Sequence, residues 1–299
     1  MRIVTRPDFD GIVCAVLLLE ALDPEMDIFW VEPNEIQSGQ AEIRPGDIIA
    51  NLPWHPEAAL WFDHHVSNRP ETPVPGAFDI APSAAGIIYD YYQSRGKLDG
   101  RFRELVEQTD MIDSADLNRE QVRAPEDFPY VILSMTIQNK GYQDIAYWDR
   151  LVDMLRHNDI GTVLADPEVT RRCDAVVKEN DAFGRHLKDH TTVADRVSIT
   201  DFRSLDHVPS GNRFLTYSLF PDTIASVKIR YSGPEQTHVL LSVGHSIFTP
   251  GCRINVGKLL ARFGGGGHAG AGGCTLDAEG AQEKIDEILT ILRANREEG

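Results

Sequence analysis

The chain lacks a long apolar run: the longest, residues 11–19, falls far short of the roughly 18 residues that a membrane-crossing helix needs. Its first residues, MRIVTRPDFDG, contain no apolar core followed by a small-residue cleavage site, so no secretory leader is expected. Cysteine is scarce. Cys14, Cys173, Cys252 and Cys274 are scattered without the paired spacing of a disulfide framework or a zinc knot, and reduced thiols in a cytoplasmic protein are the expectation. Basic residues are in deficit, 29 against 46 acidic ones, for a net charge of −17. Residues 1–192 carry 18 basic and 34 acidic side chains, a balance of −16, and the remainder is near neutral at −1. No basic, aromatic-interleaved stripe is present, so a long polyanion such as duplex DNA is a poor partner. An acidic first part suits either the gathering of divalent cations or a solvated surface.

What is present is a core. Hydrophobic residues make up 42% of the chain, which excludes disorder as its main state, and 299 residues suffice for two ordinary domains. Residues 2–5, 27–31, 47–50 and 59–62 read as short buried strands. They alternate with an apolar helix at 11–22, and a second helix at 82–94 follows the last of them. This predicts an α/β fold whose N-terminal domain has a mostly parallel sheet with helices on both faces. Residues 101–190 read as helical, with Asp166-Pro167-Glu168 a clear start signal. Strands at 196–200, 225–230 and 237–243 and helices at 255–263 and 281–294 then predict a smaller C-terminal α+β domain. The expected domains are 1–190 and 193–299.

Four clusters carry chemistry. Asp8 and Asp10 alternate before Gly11, where a strand gives way to a helix, and two hard oxygen ligands there suit Mg²⁺ or Mn²⁺. The alternative is that Asp10 caps the helix and Asp8 is a turn residue. Asp63-His64-His65 closes an apolar strand; imidazole is a common metal ligand, and a neighbouring carboxylate can fix its tautomer. Residues 107–116 contain Asp110, Asp113 and Asp116 at the end of a helical stretch, either a ligand source or an acidic loop. Gly264–Gly267, His268 and Gly270–Gly273 form a glycine-rich loop whose amides can approach a phosphate, with His268 donating from the side; a flexible linker is the alternative.

The order of these clusters resembles the DHH/DHHA1 phosphoesterase family, bacterial exopolyphosphatase-related proteins above all. Asp63-His64-His65 matches the motif that names the family, and residues 264–273 match the signature of its C-terminal domain. The resemblance implies a phosphoesterase acting on a short oligonucleotide, nucleotide or polyphosphate through metal-activated water, with Mn²⁺ or Mg²⁺, one or two ions, as cofactor. It places Asp8 on the first metal and Asp10 and His64 on the second, with Asp63 and His65 orienting His64 or meeting the phosphate. Asp110 matches the later metal aspartate, with Asp113 as the fallback, and Gly265, Gly266, Gly267 and His268 match the substrate loop. There are three departures. Arg6 or Val4 stands where family members have a histidine, and Arg6 is a candidate phosphate clamp. Asn51 stands where a bridging aspartate is usual, and offers only a carbonyl oxygen to a metal. His245-Ser246 replaces an Arg-Ser pair, with Arg253 nearby as its substitute. A catalytically weakened phosphate or nucleotide binder is therefore the alternative. The expected partner is a small phosphorylated substrate, with no membrane and no long duplex, and a homodimer is left open.

Overall fold

The computed structural model describes residues 1–138 and 141–296, so the last three residues of the expected second domain lie outside it. The backbone packs into two compact units, Met1–Leu117 with Pro125–Ala175, and Asn118–Ala124 with Val176–Gly299.

In the first unit, the sequence's apolar runs form a parallel sheet of five strands: β1 (Ile3–Thr5), β2 (Ile28–Trp30), β3 (Asp47–Ala50), β4 (Ala58–Asp63) and β5 (Gly76–Phe78), in the order β2-β1-β3-β4-β5. Successive strand residues face opposite sides, as extended backbone requires. Ile3, Ile48, Ala50 and Phe62 pack into the main helical core, whereas Val4, Ile49 and Trp61 join Ile36 and Leu52 on the other face. The main core is built on α1 (Phe9–Ala21), which is buried along its length save Glu20 and therefore apolar all round. The other face is covered by α2 (Pro33–Gln37). Two further helices, α3 (Ala84–Gln93) and α4 (Arg103–Asp113), pack on α1 and on each other.

The chain then leaves this unit for one short helix, α5 (Arg119–Arg123), and returns with α6 (Pro129–Met135), α7 (Ile145–His157) and α8 (Ile160–Leu164). The long α9 (Pro167–His190) contains the division between the units. No described helix is long and apolar enough to cross a membrane.

The second unit is a six-stranded sheet, β10-β11-β9-β8-β7-β6, antiparallel except between β7 and β8. Its elements are β6 (Thr191–Ala194), β7 (Val197–Asp201), α10 (Leu215–Leu219), β8 (Ala225–Tyr231), β9 (His238–His245), α11 (Val256–Ala261), β10 (Gly266–Gly267), β11 (Ala271–Asp277) and α12 (Ala281–Ala294). Leu259, Leu260, Ile285, Ile288 and Leu292 of the last two helices meet Val227, Ile229, Leu241 and Leu276 of the sheet in one core. The α/β plan with a smaller α+β part is therefore found as expected.

Four strands, β5, β6, β10 and β11, were not among those expected. The glycine-rich stretch is part of the sheet, because β10 and β11 form a hairpin there. A Cβ on Gly267 would lie 2.3 Å from the Ala271 carbonyl oxygen, and one on Gly265 2.4 Å from the Cys274 Cβ, so only glycine lets these strands approach so closely. The three-residue β5 was also unforeseen. Gly76 opens it at φ 113°, and a Cβ there would sit 2.0 Å from the Trp61 carbonyl oxygen.

Candidate functional site

Because the sheet of the first unit is parallel, all its carboxyl ends lie at one edge, where open α/β sheets bind ligands. The segments that follow β1, β2, β3, β4 and β5 bring Arg6 and Asp8, Glu32, Asn51, His64 and His65, and Ser83 to that edge.

Asp8, not Asp10, caps α1: its Oδ1 accepts the Gly11 N–H at 2.8 Å. The tight entry needs glycine, since a Cβ on Gly11 would lie 1.9 Å from the Arg6 carbonyl oxygen. Gly11→Ala is expected to destabilise the fold by about 1–3 kcal/mol and to weaken divalent-ion binding with it; urea melts of the variant check the first and Mn²⁺ titration the second.

Asp10 lies in the first turn of α1 and is 1% exposed. It reaches across to the start of α3, where the Ala84 and Ala85 N–H groups donate to its two oxygens at 3.0 and 2.8 Å. Unpaired amides at a helix N-terminus favour a negative charge there. Burial nevertheless dominates, and with the Asp8 carboxylate nearby it pushes the Asp10 carboxyl up to about 7.

Strand β4 ends in the Asp63-His64-His65 triplet. Asp63 is fully buried; it accepts hydrogen bonds from His65 Nδ1 at 2.8 Å and from the Asn68 amide at 2.7 Å. The bond to Asp63 raises the His65 pKa despite partial burial and leaves Nε2 as the ring's free nitrogen. His64 Nδ1 lies 3.0 Å from the Ala81 carbonyl oxygen, which can only accept, so Nδ1 carries the proton. Its Nε2 lone pair then points at carboxylates: Asp113 Oδ2 at 3.3 Å and Asp10 Oδ2 at 3.8 Å. Nε2 is buried without a hydrogen-bond partner. A lone pair facing two carboxylate oxygens is unfavourable unless a proton or a cation lies among them, and one imidazole with two carboxylates is a donor set that fits a divalent ion.

Asp110 and Asp113 stand three apart on α4, yet only Asp113 reaches this cluster. Asp110 accepts from the Ser83 hydroxyl at 2.5 Å, at the cap of α3, and a Cβ on Gly86 would lie 2.8 Å from its Oδ1. Burial raises the Asp110 pKa; burial and the Asp10 and Asp8 charges push Asp113 up to about 7.

Asn51 ends β3 in the left-handed region, φ 57°, which asparagine tolerates better than most residues. Its Nδ2 donates to Asp8 Oδ1 at 3.0 Å, and its Oδ1 is buried without a partner. Arg6 Nε lies 3.3 Å from Asp8 Oδ2 and 3.4 Å from Glu32 Oε2. Glu32, Asn68, Ser83 and the Ala84 and Ala85 amides are participants that the sequence reading missed. Ser83 had a visible signal, a capping residue before an apolar helix.

The second unit carries the other sequence candidates. His245 Nε2 lies 2.9 Å from the Ile254 carbonyl oxygen, and Gly270 accepts its backbone N–H at 2.7 Å. Arg253 is exposed, with its backbone N–H on Asn295 Oδ1 at 2.7 Å. The His268 side chain is exposed, while its carbonyl and that of Ala269 accept the first amides of α11, from Gly257 and Val256. Gly265 and Gly267 serve close strand packing, and Gly266 has open space around it. A groove of about 370 Å³ runs beside them, lined by Arg230, Ser242, Gly264, Gly265, Gly273 and Thr275 among others.

No family model matches the chain, and no curated protein matches it in sequence. Among solved structures it is similar to PggH, a pGpG-specific phosphodiesterase from Vibrio cholerae, with 31% identity over 99% of both chains and a TM-score of 0.87. The chain belongs to the DHH/DHHA1 phosphoesterase family. The fold is shared more distantly with an exopolyphosphatase-related protein from Bacteroides fragilis (12% identity, 98% of this chain and 92% of that one, TM-score 0.53). It is shared also with the Mn²⁺ complex of RecJ from Thermus thermophilus (14% identity, 99% of this chain and 52% of that one, TM-score 0.57). As a DHH/DHHA1 protein the chain is a metal-dependent phosphoesterase of small phosphate-rich substrates.

Proposed function

We propose that this phosphoesterase cleaves a short linear 5′-phosphorylated dinucleotide of the pGpG kind into mononucleotides. The observation that carries the chemistry is the buried, unpartnered His64 Nε2 between two carboxylates. The likeness to PggH along the whole chain supports the substrate. Trp54 supports a nucleobase over polyphosphate: it is 45% exposed, three residues past Asn51, where an indole can stack on a base. The acidic balance of residues 1–192 disfavours a long polyanion.

In this reading Asp10, His64 and Asp113 hold Mn²⁺ or Mg²⁺, which when bound lowers the pKa of water and withdraws charge from the phosphoryl oxygens. Asp8 and Asn51 support the edge beside them. Water attacks phosphorus, the bond from phosphorus to the 3′ oxygen breaks, and that oxygen needs a proton. His65 is suited to give it from Nε2, because Asp63 holds its Nδ1 proton and favours the imidazolium. Arg6 clamps the phosphate. Residues 193–299 are the substrate-binding domain to the catalytic 1–190, with Gly265, Gly266, Gly267, His268, Arg253 and His245 as its candidate contacts. His245 is the weakest of them, being tied to Ile254. The cytoplasm is the proposed location, in keeping with four scattered, unpaired cysteines.

The test is Mn²⁺-dependent product release from pGpG, a longer oligoribonucleotide, a nucleoside 3′,5′-bisphosphate and polyphosphate. Mononucleotide released fastest from pGpG is the expected result; polyphosphate turned over faster would sink the dinucleotide reading. His65→Ala is expected to lower kcat about 10²–10⁴-fold and to remove the alkaline limb of the pH–rate profile.

A further inference from the structure

The residues at this edge fit one cation and not two. Among the described residues, ligand atoms converge in two groups, Asp10-His64-Asp113 and Asp63-His64-His65. In the second, Asp63 and the Nδ1 atoms are already satisfied internally. Asp63 accepts from His65 and from Asn68, and His64 Nδ1 belongs to Ala81. The first sets the buried, unpartnered His64 Nε2 between two carboxylates, whereas the carboxylate of the second is already engaged and leaves only His65 Nε2 open.

The other side of the edge is closed by its own chemistry. Asp8 Oδ1 accepts two hydrogens, from Gly11 N–H and Asn51 Nδ2, and its Oδ2 faces Arg6. Asn51 is neutral and presents an N–H donor to Asp8, so it supplies neither the charge nor the second oxygen of a metal bridge. A cation bound to Asp8 would also meet the positive Arg6 guanidinium.

Arg6 is held unusually for a surface arginine. Its Nε lies between Asp8 and Glu32, its side chain is 39% exposed, and no hydrogen bond among the described residues engages either Nη group. A half-exposed guanidinium paired through Nε keeps further donors that suit a phosphate.

We propose that the centre binds a single divalent ion per chain, at Asp10, His64 and Asp113, and that the Arg6 fork supplies the second positive charge on the phosphoryl group. Asp8 and Glu32 are then positioning residues for Arg6 rather than metal ligands. The proposal rests on the phosphoesterase reading for Arg6 and the phosphate, whereas the ion count is measured without substrate.

The experiment uses the full chain, stripped with a chelator and titrated with Mn²⁺ alone, followed by calorimetry, metal content after desalting, and electron paramagnetic resonance. One Mn²⁺ per chain with an uncoupled six-line spectrum is expected. Two per chain with a spin-coupled spectrum overturns the proposal. The double variant Arg6→His, Asn51→Asp is expected to take up a second Mn²⁺; a folded double variant that still binds one refutes the part given to these residues. Should it not fold, the wild-type count decides alone. Arg6→Ala is expected to keep its ion and lose kcat on the order of 10²–10³-fold, and an unchanged kcat removes Arg6 from the reaction. A wild-type chain that binds one Mn²⁺ yet hydrolyses no phosphoester would sink the enzymatic reading and leave the count standing.

Discussion

Replacement of His64 by alanine is expected to abolish tight Mn²⁺ binding and lower turnover by about 10³-fold or more. A metal contributes several kcal/mol to a phosphoryl transition state, and each 1.36 kcal/mol is a factor of ten. The same substitution has little reason to unfold the metal-free chain. It removes a lone pair aimed at Asp113 and Asp10, and its one evident loss is the Nδ1 bond to Ala81. A chelated variant should therefore melt within a few degrees of the chelated wild type, while only the wild type gains stability on adding Mn²⁺. Asp113→Asn and Asp110→Asn make the internal comparison. The first takes a charged ligand from the cluster; the second weakens a bond to the Ser83 hydroxyl at the cap of α3. If Asp110→Asn lost the ion and Asp113→Asn kept it, the assignment on α4 would be reversed.

That comparison marks a boundary of what the sequence could tell. The four N-terminal strands were legible because short apolar runs bounded by proline, glycine and aspartate have few other uses. The triplet 63–65 was legible because a carboxylate and two imidazoles ending such a run are unusual. The resemblance placed Asp110 ahead of Asp113, whereas Asp113 is the one that joins Asp10 and His64; residues three apart share a helix face, so local sequence does not separate them. The choice between them depends on the rotation of α4 against α3, set by packing far along the chain. Asn51 and Arg6 were recognised as departures, but their mutual arrangement through Asp8 is a tertiary fact; so is Glu32, a single acid after β2 with no motif around it. The strand pairing of the glycine-rich stretch was hidden for a different reason. Glycine permits both a loop that exposes amides and strands packed too closely for a Cβ, and local sequence does not separate the two. The excursion of Asn118–Ala124 into the second unit carries no local signal at all.

Binding of Mn²⁺ is expected to weaken steeply below about pH 7, by up to about a hundredfold per pH unit, because the ion must displace protons from its ligands. The cause is the crowding of carboxylates that builds the site. Burial first, and then the neighbouring acidic charge, push the Asp10 and Asp113 carboxyls up to about 7 in the metal-free fold. They titrate as a pair, so up to two protons leave together when the ion enters. The same shift fixes the direction of the stability change. Both carboxyls stand above their unfolded value of 3.8, so the folded metal-free chain holds protons that the unfolded chain has released. This contribution is fully present below about pH 4 and is lost as pH rises through about 7. The metal-free chain should thus lose stability between pH 6 and 8 through these groups, just where the ion binds better. Melting with and without Mn²⁺ at the two pH values measures the difference directly. The Mn²⁺-induced rise in Tm should be larger at pH 8 than at pH 6 in the wild type, and absent at both in His64→Ala. A rise of equal size at the two pH values would show that the ion meets carboxylates already charged at pH 6, and the crowding of Asp10 and Asp113 would then have no bearing on metal affinity.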